Sequence, residues 1–233
     1  MKKLLIAALC VLLVSCCTFN FNVNSDSKQS GYDPHDALMG VAMVTVRTID
    51  KRGSLSGSAW AIDQHHLITA GHVCSGIVEG QASGDLEDDI QLVYYKNHNY
   101  TKGTLHGAKI DAIDTKNDIC LLGFDNHGLD PIKLAKKIAK VTDKIWIVGA
   151  PMGIMSSVAA GEVMSIGEDF GPDFPDKFVV DAQAAPGNSG SVVIDKDGNA
   201  VGMLIAGAGE YDHLSICTKL GKIYYFYNHN KNK

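Results

Sequence analysis

Three short stretches carry residue types that could do chemistry together. In residues 185–193 (APGNSGSVV), Ser189 stands between two glycines, Gly187 and Gly190, with a proline, Pro186, just upstream. A serine hydroxyl is a weak nucleophile until a base takes its proton. Glycines on both sides permit a chain path that leaves backbone N–H groups free to face a developing oxyanion, and the N–H groups of Gly187 and Ser189 are the natural pair. In residues 65–73 (HHLITAGHV), His72 follows an apolar run and two small residues, Ala70 and Gly71. Imidazole is the side chain whose ordinary pKa suits a base near neutral pH. His65 and His66 read instead as turn residues ahead of a strand. In residues 116–122 (KNDICLL), Asp118 stands at the mouth of an apolar run. A carboxylate there can be desolvated and aimed at an imidazole, fixing its tautomer and stabilising its cation. Asp111 and Asp114 compete for that role, but no strongly apolar run follows either. Taken singly, each motif also fits a turn, a cap or a structural histidine. The order His72, Asp118, Ser189 within one strand pattern is what gives them weight together.

The elements that must position these residues read as strands. Residues 41–48, 57–62, 66–69, 90–95, 104–113 and 118–124 form one set of short apolar or alternating runs. Residues 144–149, 158–166, 178–182, 191–195, 200–207 and 213–220 form a second. DKDGN (195–199) is a hairpin signal of the Asp-Gly kind. Residues 79–89 read as a polar, acidic loop, and residues 221–228 (GKIYYFYN) as a short packed helix. The fold class expected is all-β: two six-stranded antiparallel β-barrels packed together, about 40–124 and 144–220, joined by residues 125–143. A chain of 233 residues, 45% of them hydrophobic, suffices for such a core. Its net charge of −5 and its lack of a basic block argue against a nucleic-acid partner.

The first residues read as an export signal. A basic MKK precedes eleven apolar residues, Leu4–Val14, too few to span a bilayer comfortably. LVSC (13–16) resembles the lipobox of bacterial lipoproteins, which implies cleavage before Cys16, acyl chains on Cys16 and a membrane-anchored, exported protein. Residues 1–15 are then a signal peptide and 16–36 a polar tether, with the folded domain over 37–228. Cys74, Cys120 and Cys217 lie in apolar surroundings and are expected to be buried free thiols.

TAGHV, NDICLL and PGNSGS together resemble the active-site motifs of the chymotrypsin-fold, trypsin-like serine peptidases. PGNSG resembles the bacterial high-temperature-requirement type and GNSGS the glutamyl endopeptidases. The resemblance spans about residues 40–222. It implies a serine endopeptidase with His72, Asp118 and Ser189 as catalytic residues and an acyl-enzyme intermediate. The Gly187 and Ser189 N–H groups would form the oxyanion hole. It implies a protein or peptide substrate and no cofactor. No zinc-binding motif is present either. The substrate pocket would be lined by Gln183, Ala184, Leu204, Ile205 and Gly207. Leu204 stands where a glutamyl endopeptidase has histidine, and no acidic residue is evident, so a small or apolar residue is expected before the scissile bond. Two positions depart from the animal digestive enzymes. Asn188 replaces the aspartate that pairs with a freed N-terminus, and Val73 replaces a cysteine. The competing expectation is a catalytically silent protease-fold binding protein.

Overall fold

A computed structural model describes residues 31–124, 128–155, 157–167, 176–209 and 211–232. The signal peptide, Cys16 and most of the tether lie outside the described residues. Tyr32–Lys233 forms one compact unit, entered through a 3-10 turn at Pro34–Gly40 that buries Ala37, Leu38 and Met39.

The first half is a seven-stranded antiparallel sheet. Its strands are β1 (Val41–Arg47), β2 (Ser54–Ala61), β3 (His66–Thr69), β4 (Gln91–Tyr95), β5 (Lys102–Leu105), β6 (Lys109–Asp114) and β7 (Ile119–Gly123). They pair in the order β5-β4-β1-β2-β3-β7-β6. This differs from the six-stranded barrel expected. The run 104–113 is two strands rather than one, because the chain turns at Gly107, whose φ is +76°, and β5 and β6 end up at opposite edges of the ladder. β7 lies between β3 and β6, and its ICLL residues are fully buried, which is why it reads as an unbroken apolar run.

A helix, α1 (Gly71–Ser83), follows β3. It takes in part of the stretch expected to be a loop. Val73, Cys74 and Ile77 are buried, a helical spacing.

The second half is a closed barrel of six strands: β8 (Lys144–Gly149), β9 (Ser157–Ser165), β10 (Lys177–Asp181), β11 (Val192–Ile194), β12 (Ala200–Ala208) and β13 (Tyr211–Lys219). The Asp-Gly hairpin joins β11 to β12. Asp195 N–H donates to Asn199 O at 2.9 Å, and the Asp195 carboxylate accepts from the Asp197 and Asn199 N–H groups at 2.9 and 2.8 Å. The chain ends in α2 (Leu220–Asn230), which buries Ile223, Phe226 and Tyr227. Their spacing makes one apolar face.

Cys74 and Cys120 form a disulfide, which corrects the expectation of free thiols. The packing of α1 on β7 brings their Cα atoms to 6.4 Å, a separation suited to a disulfide. Cys217 is a buried free cysteine.

Candidate active site

The structure brings His72 and Asp118 together from positions 46 residues apart. His72 Nδ1 lies 2.9 and 3.1 Å from the two Asp118 carboxylate oxygens, and the His72 backbone N–H donates to Asp118 Oδ1 at 2.7 Å. His72 is in the first turn of α1, whose N-cap, Ala70, makes no side-chain cap bond. Asp118 reaches across from the start of β7 and supplies the missing acceptor, where the helix dipole favours a negative charge. A Cβ on Gly71 would lie 3.0–3.1 Å from Ile119 N and from Asp118 C and Oδ1. The glycine before His72 is what lets the carboxylate come this close.

Asp118 has φ +56°, a left-handed conformation uncommon for a residue with a Cβ. The Asn117 side chain and N–H are both bonded to the Asp114 carboxylate, at 2.6 and 3.0 Å. Asp114 therefore shapes the turn that presents Asp118. Burial pushes the Asp118 carboxyl up, but the hydrogen bonds from the His72 ring and N–H, together with the His72 and Lys177 charges, outweigh it and hold the group below its ordinary range. The hydrogen bond to Asp118 raises the His72 pKa above its ordinary 6.5, with burial opposing and the Asp118 charge reinforcing the shift. The His72 side chain is 51% exposed. Its Nδ1 is committed to Asp118, so Nε2 is the nitrogen left for another partner.

Ser189 comes from the loop between β10 and β11, which the first sheet grips through Ser58 of β2. Ser58 N–H donates to Ser189 O at 2.8 Å. Ser58 Oγ donates to Gly187 O at 2.8 Å and accepts from Ala150 N–H at 2.9 Å. Gly187 and Gly190 have φ +91° and +90°, where a side chain is strained. A Cβ on Gly190 would also collide with Ser58 O and Thr69 Oγ1. Pro186 O accepts from Met152 N–H at 2.8 Å. Since that peptide is trans, the Gly187 N–H points the opposite way. Among the described residues, neither the Gly187 nor the Ser189 N–H donates to a protein acceptor.

The Ser189 loop and the first turn of α1 are neighbours. A Cβ on Gly57 would touch both Val73, at 2.8 Å, and Ser189 O, at 3.2 Å. The Ser189 hydroxyl itself donates to Ile205 O at 3.4 Å, a long and weak bond. Among the described residues it makes no hydrogen bond to His72.

The expected pocket residues are placed unevenly. Leu204 is 1% exposed and packs in the barrel core with Phe178 and Ile145; its N–H and C=O are bonded to Ser191 and Gly190. Ile205 is 9% exposed. Gln183 and Gly207 are exposed and Ala184 is half-buried, and a Cβ on Gly207 would meet nothing within 4 Å. Asn188 is buried, its side-chain oxygen accepting from Ser191 Oγ at 3.2 Å.

Ser58 was not among the residues singled out from sequence. The signal available was Gly57 inside a strand, which often marks close approach of another backbone. Among the described residues there is no cluster of side chains that could hold a metal ion.

The profile of the family described as "Trypsin-like peptidase domain" matches residues 57–203, a span containing all three motifs. The chain is 33% identical over 98 residues to "Probable periplasmic serine endoprotease DegP-like" of Ectopseudomonas mendocina, covering 41% of this chain and 21% of that protein. It is 27% identical over 197 residues to a Chlamydia muridarum protein of the same description, covering 82% of this chain and 33% of that one. The chain thus spans only about a fifth to a half of the length of the curated relatives it matches. Among solved structures, the active form of Rv3671c protease from M. tuberculosis superposes with a TM-score of 0.66 at 16% identity, covering 83% of this chain and 81% of that one. The serine endoprotease from Yersinia pestis does so with a TM-score of 0.66 at 17% identity, over 83% and 63%. The two structures share this fold, and the matched profile covers more than half of the chain: the protein belongs to the trypsin-like peptidase domain family.

Proposed function

We propose that the protein is a serine endopeptidase working through Ser189, His72 and Asp118. The observation that carries this reading is the His72–Asp118 pair, formed across 46 residues with His72 Nε2 uncommitted, beside a glycine-framed serine. Ser189 Oγ attacks the peptide carbonyl while its proton passes to His72 Nε2. The carbonyl oxygen becomes an oxyanion held by the Gly187 and Ser189 N–H groups. His72 then gives the proton to the leaving amine as the C–N bond breaks, and water repeats the sequence on the acyl-enzyme. Asp118 holds the ring and stabilises its cation. The internal hydrogen bond of Asn188 agrees with a loop that needs no freed N-terminus to shape it. A small or apolar residue is proposed before the scissile bond, with no cofactor required. Export and anchoring through Cys16 complete the proposal, and a Cys16→Ser variant that still partitions into membranes would overturn that part.

The weak bond from Ser189 to Ile205 O favours a second reading, a protease-fold binding protein whose serine stays turned away from His72. Catalytic hydrogen bonds are often long or poorly aligned without substrate, so the long bond is compatible with the peptidase reading as well. A fluorophosphonate probe separates the two. The full chain is expected to label, and Ser189→Ala and His72→Ala are not. A folded wild-type protein that stays unlabelled would favour the binding protein.

A further inference from the structure

Lys177 is a charged residue 9% exposed, and the chemistry described above does not use it. It opens β10 in the barrel, yet its Nζ crosses to the first sheet and donates to Asn117 O at 2.5 Å. It also donates to Thr218 Oγ1 at 2.8 Å, on the β13 residue paired with it across the ladder. Thr218 Oγ1 in turn donates to Asn117 O at 3.0 Å. One carbonyl of the first sheet thus takes two hydrogen bonds from the second barrel.

That carbonyl belongs to the peptide joining Asn117 to Asp118. Peptide units are rigid planes, so fixing Asn117 O fixes the plane from which the φ of Asp118 is measured. Asp118 needs the fixing, because its φ of +56° is a conformation that persists only where surroundings over-determine it. Asp114 ties the Asn117 side chain and N–H from one side of the turn. Lys177 and Thr218 tie its carbonyl from the other.

We propose that Lys177 is a positioning residue that, with Thr218, clamps the Asn117–Asp118 peptide and so holds the Asp118 carboxylate on His72. The inference rests on the reading of His72 and Asp118 as base and partner. It adds that the barrel supplying the serine also sets the geometry of the base on the opposite sheet. The electrostatic surroundings agree. Burial lowers the Lys177 pKa, while Asp118, Asp114 and Asp176, and more weakly Cys217, oppose that. The Lys177 charge in turn helps to keep Asp118 ionised.

The test replaces Lys177 with methionine, which keeps the stem and removes the charge and the donors. Exchange of a buried charged group for an apolar one of similar volume is often tolerated by the fold. Two quantities are read on folded protein: the rate of fluorophosphonate labelling, and the low-field proton resonance of His72 Nδ1–H, assigned by its loss in His72→Gln. Lys177→Met is expected to slow labelling at least tenfold and to move the resonance upfield or broaden it away. Thr218→Val, which removes one of the two donors to Asn117 O, is expected to shift both readouts in the same direction by about threefold in rate. Labelling within twofold of wild type and an unmoved resonance in Lys177→Met would overturn the proposal. If that variant does not fold, the same result in Thr218→Val overturns it. Failure of the wild-type protein to label would count against the peptidase reading instead, while the His72 resonance still reports on the clamp.

Discussion

Two histidine–aspartate pairs lie close in sequence and differ in nearly everything else. In both, an imidazole Nδ1 sits 2.9 Å from a carboxylate oxygen. His66 and Asp63 are three residues apart within one turn, the histidine side chain only 17% exposed. The Tyr227 hydroxyl of α2 donates to the same Asp63, and its ring meets the His66 ring edge-on at 5.9 Å. That pair fastens the last helix to the first sheet. His72 and Asp118 come from distant elements, the histidine half exposed, beside a serine loop shaped by two left-handed glycines. A histidine–aspartate contact is therefore poor evidence of chemistry. What faces the other ring nitrogen decides its role, and so does whether the structure spends resources on presenting the pair.

The sharpest way to break the comparison is to remove each imidazole. His72→Ala is expected to lower kcat/KM on a peptide substrate by ~10⁴-fold or more with little change in melting temperature. His66→Ala should leave kcat/KM within about threefold and cost about 1–2 kcal/mol in denaturant unfolding, because it loses packing and a partner for Asp63. Equal loss of activity in both would show that the two pairs had been wrongly distinguished.

Asp118→Asn keeps the shape and changes the charge. We expect kcat/KM to fall by ~10³–10⁴-fold and the acid limb of the pH profile to move down. The direction follows from the shifts. On the proposed peptidase reading His72 serves as the base, an imidazole is a base only when neutral, and Asp118 holds its pKa above 6.5, so wild-type activity should rise as pH climbs through a value above 6.5. Without the carboxylate that limb falls toward the ordinary imidazole range. Stability depends on pH through both shifts, in opposite directions. The raised His72 pKa contributes stability that is complete below 6.5 and is lost as pH rises through the folded value. The depressed Asp118 pKa contributes stability present above 3.8 and lost as pH falls through its folded value. An acid limb unmoved in Asp118→Asn would sink this account.

The disulfide comes next in size. Cys74 and Cys120 each lie two residues beyond a member of the His72–Asp118 pair, so the cross-link ties α1 to β7 directly behind that contact. The His66–Asp63 pair has no such brace. Closing a loop of this length is worth about 4 kcal/mol. The double variant Cys74→Ala, Cys120→Ala should lose about that much in denaturant unfolding, with labelling of Ser189 slowed as well. The smallest effect belongs to Tyr227→Phe. It should cost about 1–2 kcal/mol by removing a hydrogen bond to a carboxylate, and leave kcat/KM unchanged.

Much of the site was legible because it is written in local terms. A serine framed by glycines, a histidine after two small residues and an aspartate at the mouth of a buried strand are backbone requirements that short peptides record. The helix over residues 71–83 was less legible. Its interior contains Gly76 and Gly80, poor helix formers, kept where a Cβ would press on Leu55 and Leu86. Packing of Val73, Cys74 and Ile77 overrides that propensity. The split of residues 104–113 into two strands turned on one left-handed glycine, Gly107, which a reading of apolar runs passes over.

By itself, then, the sequence determined the family motifs, the strand runs of the second half, the Asp-Gly hairpin and the C-terminal helix, since each depends on residues adjacent along the chain or repeating with a fixed period. The tertiary structure alone decided that Cys74 meets Cys120, that Ser58 grips the serine loop and that Lys177 reaches across to Asn117. Each of these is a meeting of residues 46 to 129 positions apart. Short-range patterns carry no information about such distances until strands pair and barrels pack.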